Sequence, residues 1–166
     1  MRKSIWSLIL VTMTAAIMAQ TASAADSNFG LGLVLGDPSG ISARIAAGSN
    51  NSINVILGYD VNQNDNRYYR DNCCRDGGVL YMGADYVWYN YNLIHVSSGR
   101  LPLYFGPGVN FVISNYSSVG IRGVVGLEYQ FANAPFDLFF ELAPGVNIVP
   151  NTEVGVDAGF GGRFFF

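Results

Sequence analysis

Val154-Gly155-Val156-Asp157-Ala158-Gly159-Phe160-Gly161-Gly162-Arg163-Phe164-Phe165-Phe166 alternates from end to end. One face carries Val154, Val156, Ala158, Phe160, Gly162, Phe164 and Phe166. The other carries Gly155, Asp157, Gly159, Gly161, Arg163 and Phe165. A period of two is the signature of a β-strand, whose successive side chains point to opposite faces. Both charges of the segment share one face, and everything on the opposite face is compatible with lipid.

Sorting the rest of the chain in the same way predicts eight strands, over 28–36, 41–47, 53–60, 79–88, 101–112, 119–131, 136–148 and 154–166. The first connection, Asp37-Pro38-Ser39-Gly40, supplies the preset and the permissive φ values that a β-turn needs. One face of the set reads Phe29, Leu31, Leu33, Leu35; Ile41, Ala43, Ile45; Ile53, Val55, Leu57, Tyr59; Leu80, Met82, Tyr86, Trp88. It continues through Leu103, Phe105, Val109, Phe111; Val119, Ile121, Val125, Leu127, Tyr129, Phe131; Phe136, Leu138, Phe140, Leu142, Val146. No charge falls on it. Arg44, Asp60, Asp85, Arg122, Glu128, Asp137, Glu141, Asp157 and Arg163 all fall on the other face.

An Arg or Lys at the lipid midplane costs about 2–4 kcal/mol, so segregation this clean points to a lipid-facing surface. The predicted fold is all-β: a closed, up-and-down, eight-stranded antiparallel transmembrane barrel. A soluble barrel would reverse the faces, with apolar residues inside. Alternation alone does not orient them. The uncharged face and the aromatics near strand ends (Phe29, Trp88, Phe131, Phe136, Phe164 and Phe166) favour apolar-out. The fourth strand fits least well, because Val79, Tyr81 and Val87 fall on the charged side.

The start of the chain reads as a secretory leader. Arg2 and Lys3 precede a mostly apolar stretch from Ile5 to Met18, and Ala22-Ser23-Ala24 offers a small-residue cleavage site. Residues 1–24 are therefore expected to be a signal peptide and residues 25–166 the barrel. Without Arg2 and Lys3 the chain has seven arginines, no lysine and 12 acidic residues, a net charge of −5. Nucleic acid is not an expected partner, since it calls for a basic face. Half of the residues are hydrophobic, yet after the leader no run approaches the roughly 18 apolar residues of a membrane helix.

A strand that alternates up to an aromatic C-terminal residue resembles the closing strand of bacterial outer-membrane barrels, where the assembly machinery reads that aromatic. Three blocks resemble a family of small, uncharacterised outer-membrane β-barrel proteins. They are Gly30-Leu31-Gly32-Leu33-Val34-Leu35-Gly36-Asp37-Pro38-Ser39-Gly40, Leu101-Pro102-Leu103-Tyr104-Phe105-Gly106 and Phe131-Ala132-Asn133-Ala134-Pro135-Phe136-Asp137-Leu138-Phe139-Phe140-Glu141. The resemblance implies an OmpA- or OmpX-like eight-stranded barrel in the bacterial outer membrane, surrounded by its lipids and monomeric. It transfers no catalytic motif, and it implies that some relatives bind host proteins. With both termini periplasmic, the extracellular loops would be 37–40, 61–78, 114–118 and 149–153, and the periplasmic turns 48–52, 89–100 and 132–135. Eight strands leave a lumen that side chains fill, so a porin is not expected.

Two stretches invite a catalytic reading. His95-Val96-Ser97 has the His-x-Ser spacing of lipid A deacylases, but it lies in the 89–100 connection and not on a lipid-facing strand. Asp137 and Glu141 could be paired carboxylates. With Arg44, Arg122, Glu128, Asp157 and Arg163 they read better as a lumen charge network. Counting back from the turns places Arg163 close to Glu141 and within reach of Asp137, and Arg122 level with Asp157. No enzyme activity, cofactor or metal is expected. Cys73 and Cys74 lack further ligands at metal spacing. As adjacent residues they could form a disulfide only with local distortion, so a vicinal bridge, free thiols and an intermolecular bridge all stay open.

The polar segment 61–78 contains Arg67-Tyr68-Tyr69-Arg70, and Tyr and Arg are enriched at binding hot spots. Loops longer than about 12–15 residues are uncommon unless functional or disordered. The function expected is a barrel that presents extracellular loops for binding or adhesion to an external protein, through Arg67, Tyr68, Tyr69 and Arg70. A purely structural envelope barrel is the alternative, and a lipid A-modifying enzyme is a third reading.

Overall fold

Eight strands close on themselves in sequence order. The computed structural model describes residues 28–60, 79–113, 117–150 and 152–166. The strands are β1 (Phe29–Asp37), β2 (Gly40–Ala46), β3 (Asn51–Asp60), β4 (Val79–Asn90), β5 (Leu103–Ile113), β6 (Ser118–Gln130), β7 (Phe136–Val149) and β8 (Glu153–Phe165). Each pairs antiparallel with the next, and β8 returns to pair with β1 from Gly30↔Phe165 to Asp37↔Ala158. Closure leaves no free sheet edge among these strands, which removes the edge as a site of unwanted strand addition. Residues 1–27, which include the expected signal peptide, and the 61–78 segment lie outside the described residues.

The alternation in the sequence becomes an inside and an outside. Every residue of the uncharged set is exposed or partly exposed, with Leu33 and Leu35 showing 64% and 66% of their surface. The charged set, apart from Asp60, whose side chain lies outside the described residues, turns inward: Arg163 is 1% exposed, and Glu128 and Asp137 are 0%. The barrel is thus the inverse of a soluble one, in which apolar side chains would fill the centre. Tyr81 and Val87, the weakest part of the pattern, also point inward and are buried. Beside the charges they build two small apolar layers, Val34, Ile56, Tyr81, Val112 and Phe139 in one, Val87, Tyr89, Tyr104, Val124 and Ala143 in the other.

Lumen glycines make room for these large side chains. A Cβ on Gly83 would sit 2.6 Å from Arg122 Nη2, one on Gly30 would sit 2.7 Å from the Phe165 ring, and one on Gly126 would collide with the Tyr104 ring. Small beside large is how a narrow barrel fills its bore. Gly36 has a different task. With φ +142° it turns β1 toward β2, and its N–H donates to Ser39 Oγ at 3.0 Å while that hydroxyl donates back to Gly36 O at 2.8 Å.

Two differences from the sequence expectation matter for the site. The first is that β4 runs on through Tyr89 and Asn90, which adds Tyr89 to the lumen. The second is the register of the last hairpin. The β6–β7 pairing follows the expected count, with Gln130↔Asp137 and Val125↔Leu142. In β7–β8, Asp137 stands opposite Arg163 and Glu141 opposite Gly159, a slip of two residues from the expected placement. β7 continues to Val149, and the bend falls at Pro150, one residue earlier than expected.

Candidate functional site

The lumen holds two ionic clusters. Nearer the chain termini, Arg163 on β8 reaches across to β6 and β7. Its Nη2 lies 2.5 Å from Glu128 Oε2 and 3.0 Å from Asp137 Oδ2, and its Nε donates to Asp137 Oδ2 at 3.1 Å. The Arg163 backbone N–H also donates to Asp137 Oδ1, at 3.1 Å. Arg44 on β2 completes the group by pairing with Glu128 Oε1. The Glu128 carboxylate therefore receives two guanidinium groups, the Tyr89 hydroxyl at 3.0 Å and the Gln130 amide at 2.7 Å. Both guanidinium groups lie over aromatic faces, Arg163 4.3 Å from the Phe139 centroid and Arg44 4.3 Å from that of Tyr89. Such stacking suits a planar, weakly hydrated cation in a dry bore.

The second cluster centres on Arg122 of β6. It grips Asp85 on β4 with both prongs, Nε to Oδ1 at 2.7 Å and Nη2 to Oδ2 at 2.5 Å. Its Nη1 donates to the Tyr81 hydroxyl at 2.5 Å and approaches Asp157 Oδ2 at 3.5 Å, while Tyr81 Oη donates to the same Asp157 oxygen at 2.9 Å. Between the clusters, the Tyr104 hydroxyl donates to Glu141 Oε2 at 2.7 Å.

All seven residues expected in the network line the lumen, with Asp137 in reach of Arg163 and Asp157 beside Arg122 as expected, but Glu141 does not pair with Arg163. Arg163 engages Asp137 and Glu128, whereas Glu141 is held by Tyr104. This follows directly from the shifted register. Sequence reasoning omitted Asp85 from the network and left out Tyr81, Tyr89 and Tyr104 altogether. A usable signal existed. Among the described side chains three lumen arginines face five lumen carboxylates, so further donors are required, and a buried tyrosine hydroxyl itself needs a partner.

This arrangement fills the bore and does not line a passage. The cavity at Asn110, Arg122, Asn147 and Asp157 has a volume of about 20 Å³, close to the room that one water occupies. His95 and Ser97 lie off any strand in the connection between β4 and β5, and both are exposed. The i, i+2 spacing therefore does not give them the shared strand face that a His–Ser pair would use. Arg67, Tyr68, Tyr69, Arg70, Cys73 and Cys74 lie outside the described residues.

Outside, aromatic rings gather at the end that carries the termini. Phe29 and Phe166 have centroids 6.3 Å apart, Phe164 and Phe166 5.2 Å, Phe131 and Phe136 5.8 Å, Tyr129 and Phe131 4.8 Å, and Trp88 and Phe105 6.2 Å. They form a girdle at one rim of the apolar wall. Among the described residues at the opposite end, Asp37 is partly exposed, and Glu153 is exposed at the mouth of the small cavity that Asp157 also lines. Comparison with protein-family models, with curated proteins and with solved structures finds no match to this chain.

Proposed function

We propose that the chain is a small bacterial outer-membrane protein of the OmpA- or OmpX-like kind, whose barrel anchors loops that engage an external partner. One observation carries the membrane part: a wall of exposed Leu, Ile, Val and Phe surrounds a core of ion pairs. Water would penalise that wall by about 25 cal/mol per Å² of apolar surface left exposed, whereas lipid removes the penalty. The aromatic girdle is what a membrane–water interface favours.

The binding part rests on elimination and on the sequence of 61–78. Ion pairs and rings occupy the lumen, which leaves the barrel ends for recognition. β3 ends at Asp60 and β4 begins at Val79, both at the end opposite the termini, and Arg67, Tyr68, Tyr69 and Arg70 fall between them in the sequence. A purely structural role is the second reading, favoured by the extent of the lumen network. One experiment separates them. Purified folded barrel and a variant lacking residues 64–76 are screened against extracellular proteins and host-cell surfaces. Binding by the full chain and not by the variant supports the loop reading; equal behaviour of the two favours the structural one. Recovery of the mature chain as a detergent-independent periplasmic protein would sink both.

A further inference from the structure

The connection between β4 and β5, Tyr91 to Pro102, is longer than a hairpin needs and is pinned at both ends. It begins in the barrel mouth, where the Tyr91 ring stacks on that of Tyr89, with centroids 6.0 Å apart and planes 25° apart. It ends on the outer wall. The Tyr129 hydroxyl, from an outward-facing residue of β6, donates to Ser98 O at 3.0 Å. Gly99 follows at φ +73°, a conformation that favours glycine, and lies against Gln130 O and the Tyr129 ring. Arg100 then exchanges backbone hydrogen bonds with Gln130, at 2.9 and 2.8 Å.

Between these pins the segment crosses from mouth to wall with its apolar side chains uncovered. Leu93 is 59% exposed, and Ile94 and Val96 are each 37% exposed. A hollow of about 520 Å³ at the same rim is lined by Trp88 and Phe105 and by the amides Asn50, Asn90 and Asn92. A second hollow, of about 260 Å³, is lined by Tyr91, Ile94, His95 and Arg100. Charge adds a sign to this amphipathic shape. Arg100 is exposed here, and the acidic residues described at this end, Glu128 and Asp137, are buried and paired.

We propose that Tyr91–Pro102 is a lipid-docking loop that sets Leu93, Ile94 and Val96 into the headgroup boundary of the adjacent leaflet and Arg100 beside a glycerophospholipid phosphate. The proposal rests on the membrane reading above. Apolar side chains on a pinned loop lose little freedom on insertion, so their burial is not cancelled by ordering. The loop is continuous with the aromatic girdle through Tyr129 and Trp88, which places it at the depth where amphipathic rings sit.

The test uses the full mature chain with Cys73→Ser and Cys74→Ser, folded into phosphatidylcholine vesicles containing phosphatidylglycerol. A nitroxide label is attached at Ile94→Cys or, separately, at Ile121→Cys on the outer wall. Its relaxation by oxygen, which concentrates among acyl chains, is compared with relaxation by a neutral nickel chelate, which stays in water. The expected result is an oxygen-dominated label at 121 and an intermediate, interfacial ratio at 94. Adding Arg100→Glu should shift the label at 94 toward the water value and leave that at 121 unchanged. An oxygen-dominated label at 121 with a fully aqueous label at 94 would overturn the loop proposal alone. An aqueous label at 121 would overturn the membrane reading and the loop with it. Shielding of the label at 94 from both agents would mean that protein, not lipid, covers the loop. An unchanged ratio at 94 with Arg100→Glu would remove the phosphate contact.

Discussion

Replacing Arg163 by Met is the most direct probe of the lumen. The side chain is 1% exposed and serves two carboxylates, Glu128 and Asp137, that are themselves 0% exposed. The losses are unequal. Glu128 keeps Arg44, Tyr89 and Gln130. Asp137 loses the Nε bond at 3.1 Å and the Nη2 contact at 3.0 Å, and keeps only the backbone N–H of residue 163 from this set. Removing one partner of a buried pair costs about 3–5 kcal/mol, because the charge left behind has neither water nor a counter-ion. Loss of the cation from the Phe139 face adds about 0.5–2 kcal/mol, and a Met sulfur against the same ring restores part of that. The expected net is about 3–5 kcal/mol of destabilisation.

The measurement is urea unfolding of the folded barrel in lipid vesicles, followed by Trp fluorescence and by the gel-mobility shift between folded and unfolded forms. Two companions sharpen it. Arg163→Lys keeps the charge and loses the fork and the ring stacking, so it should fall between wild type and Met. Adding Asp137→Asn to Arg163→Met removes the stranded charge and should recover about 0.5–3 kcal/mol relative to the sum of the single changes. A single mutant indistinguishable from wild type would mean that water reaches residue 163. Strict additivity in the double mutant would mean that Asp137 is not its partner. Either result refutes the reasoning.

Three further outcomes are expected. Leu33→Arg, on the outer wall at a side chain 64% exposed, should destabilise the barrel by about 2–4 kcal/mol in vesicles if that position lies near the midplane, and the barrel should tolerate Leu33→Ile. Tyr104→Phe removes the donor at 2.7 Å from Glu141 and should cost about 1–3 kcal/mol, with Tyr104→Phe/Glu141→Gln less unstable than the single change, both by urea titration. Gly126→Ala drives a methyl toward the fully buried Tyr104 ring and to 2.7 Å from Phe140 O; a cost of about 1–3 kcal/mol is expected, and no cost would show that the ring can move aside.

What the sequence made legible follows from what a period of two can carry. Parity alone sorts Leu33 from Val34 and Phe164 from Arg163, so strand number, closure and the composition of each face are readable residue by residue. Parity says nothing of which lumen residues touch. Tyr81 reads as a misfit on a charged face, and Tyr89 and Tyr104 go unnoticed, until the three hydroxyls are counted as donors to Asp157, Glu128 and Glu141. The His95–Ser97 spacing carried meaning only on a strand, and both residues sit in a connection that has no strand period.

The one register error shows what the lumen network is for. A slip of one residue would turn Arg163 out onto the apolar wall and swap the two faces of β8. A slip of two keeps every apolar residue outside and every charge inside, so the hydrophobic pattern is indifferent to it. The exposed outer wall supplies no jigsaw that could choose between the two registers. The lumen does. In the register two residues away Arg163 would stand opposite Phe139 in place of Asp137, so the direct cross-strand fork to Asp137, which the Arg163 backbone N–H also joins, would be lost. A buried pair with poorer geometry recovers less of its desolvation cost, so the lumen favours the observed register. Buried ion pairs are weak evidence for raw stability, and their best-attested use is to fix registry. In this barrel, Arg163 between Glu128 and Asp137, and Arg122 between Asp85 and Asp157, tie four strands (β4, β6, β7 and β8) to one alignment.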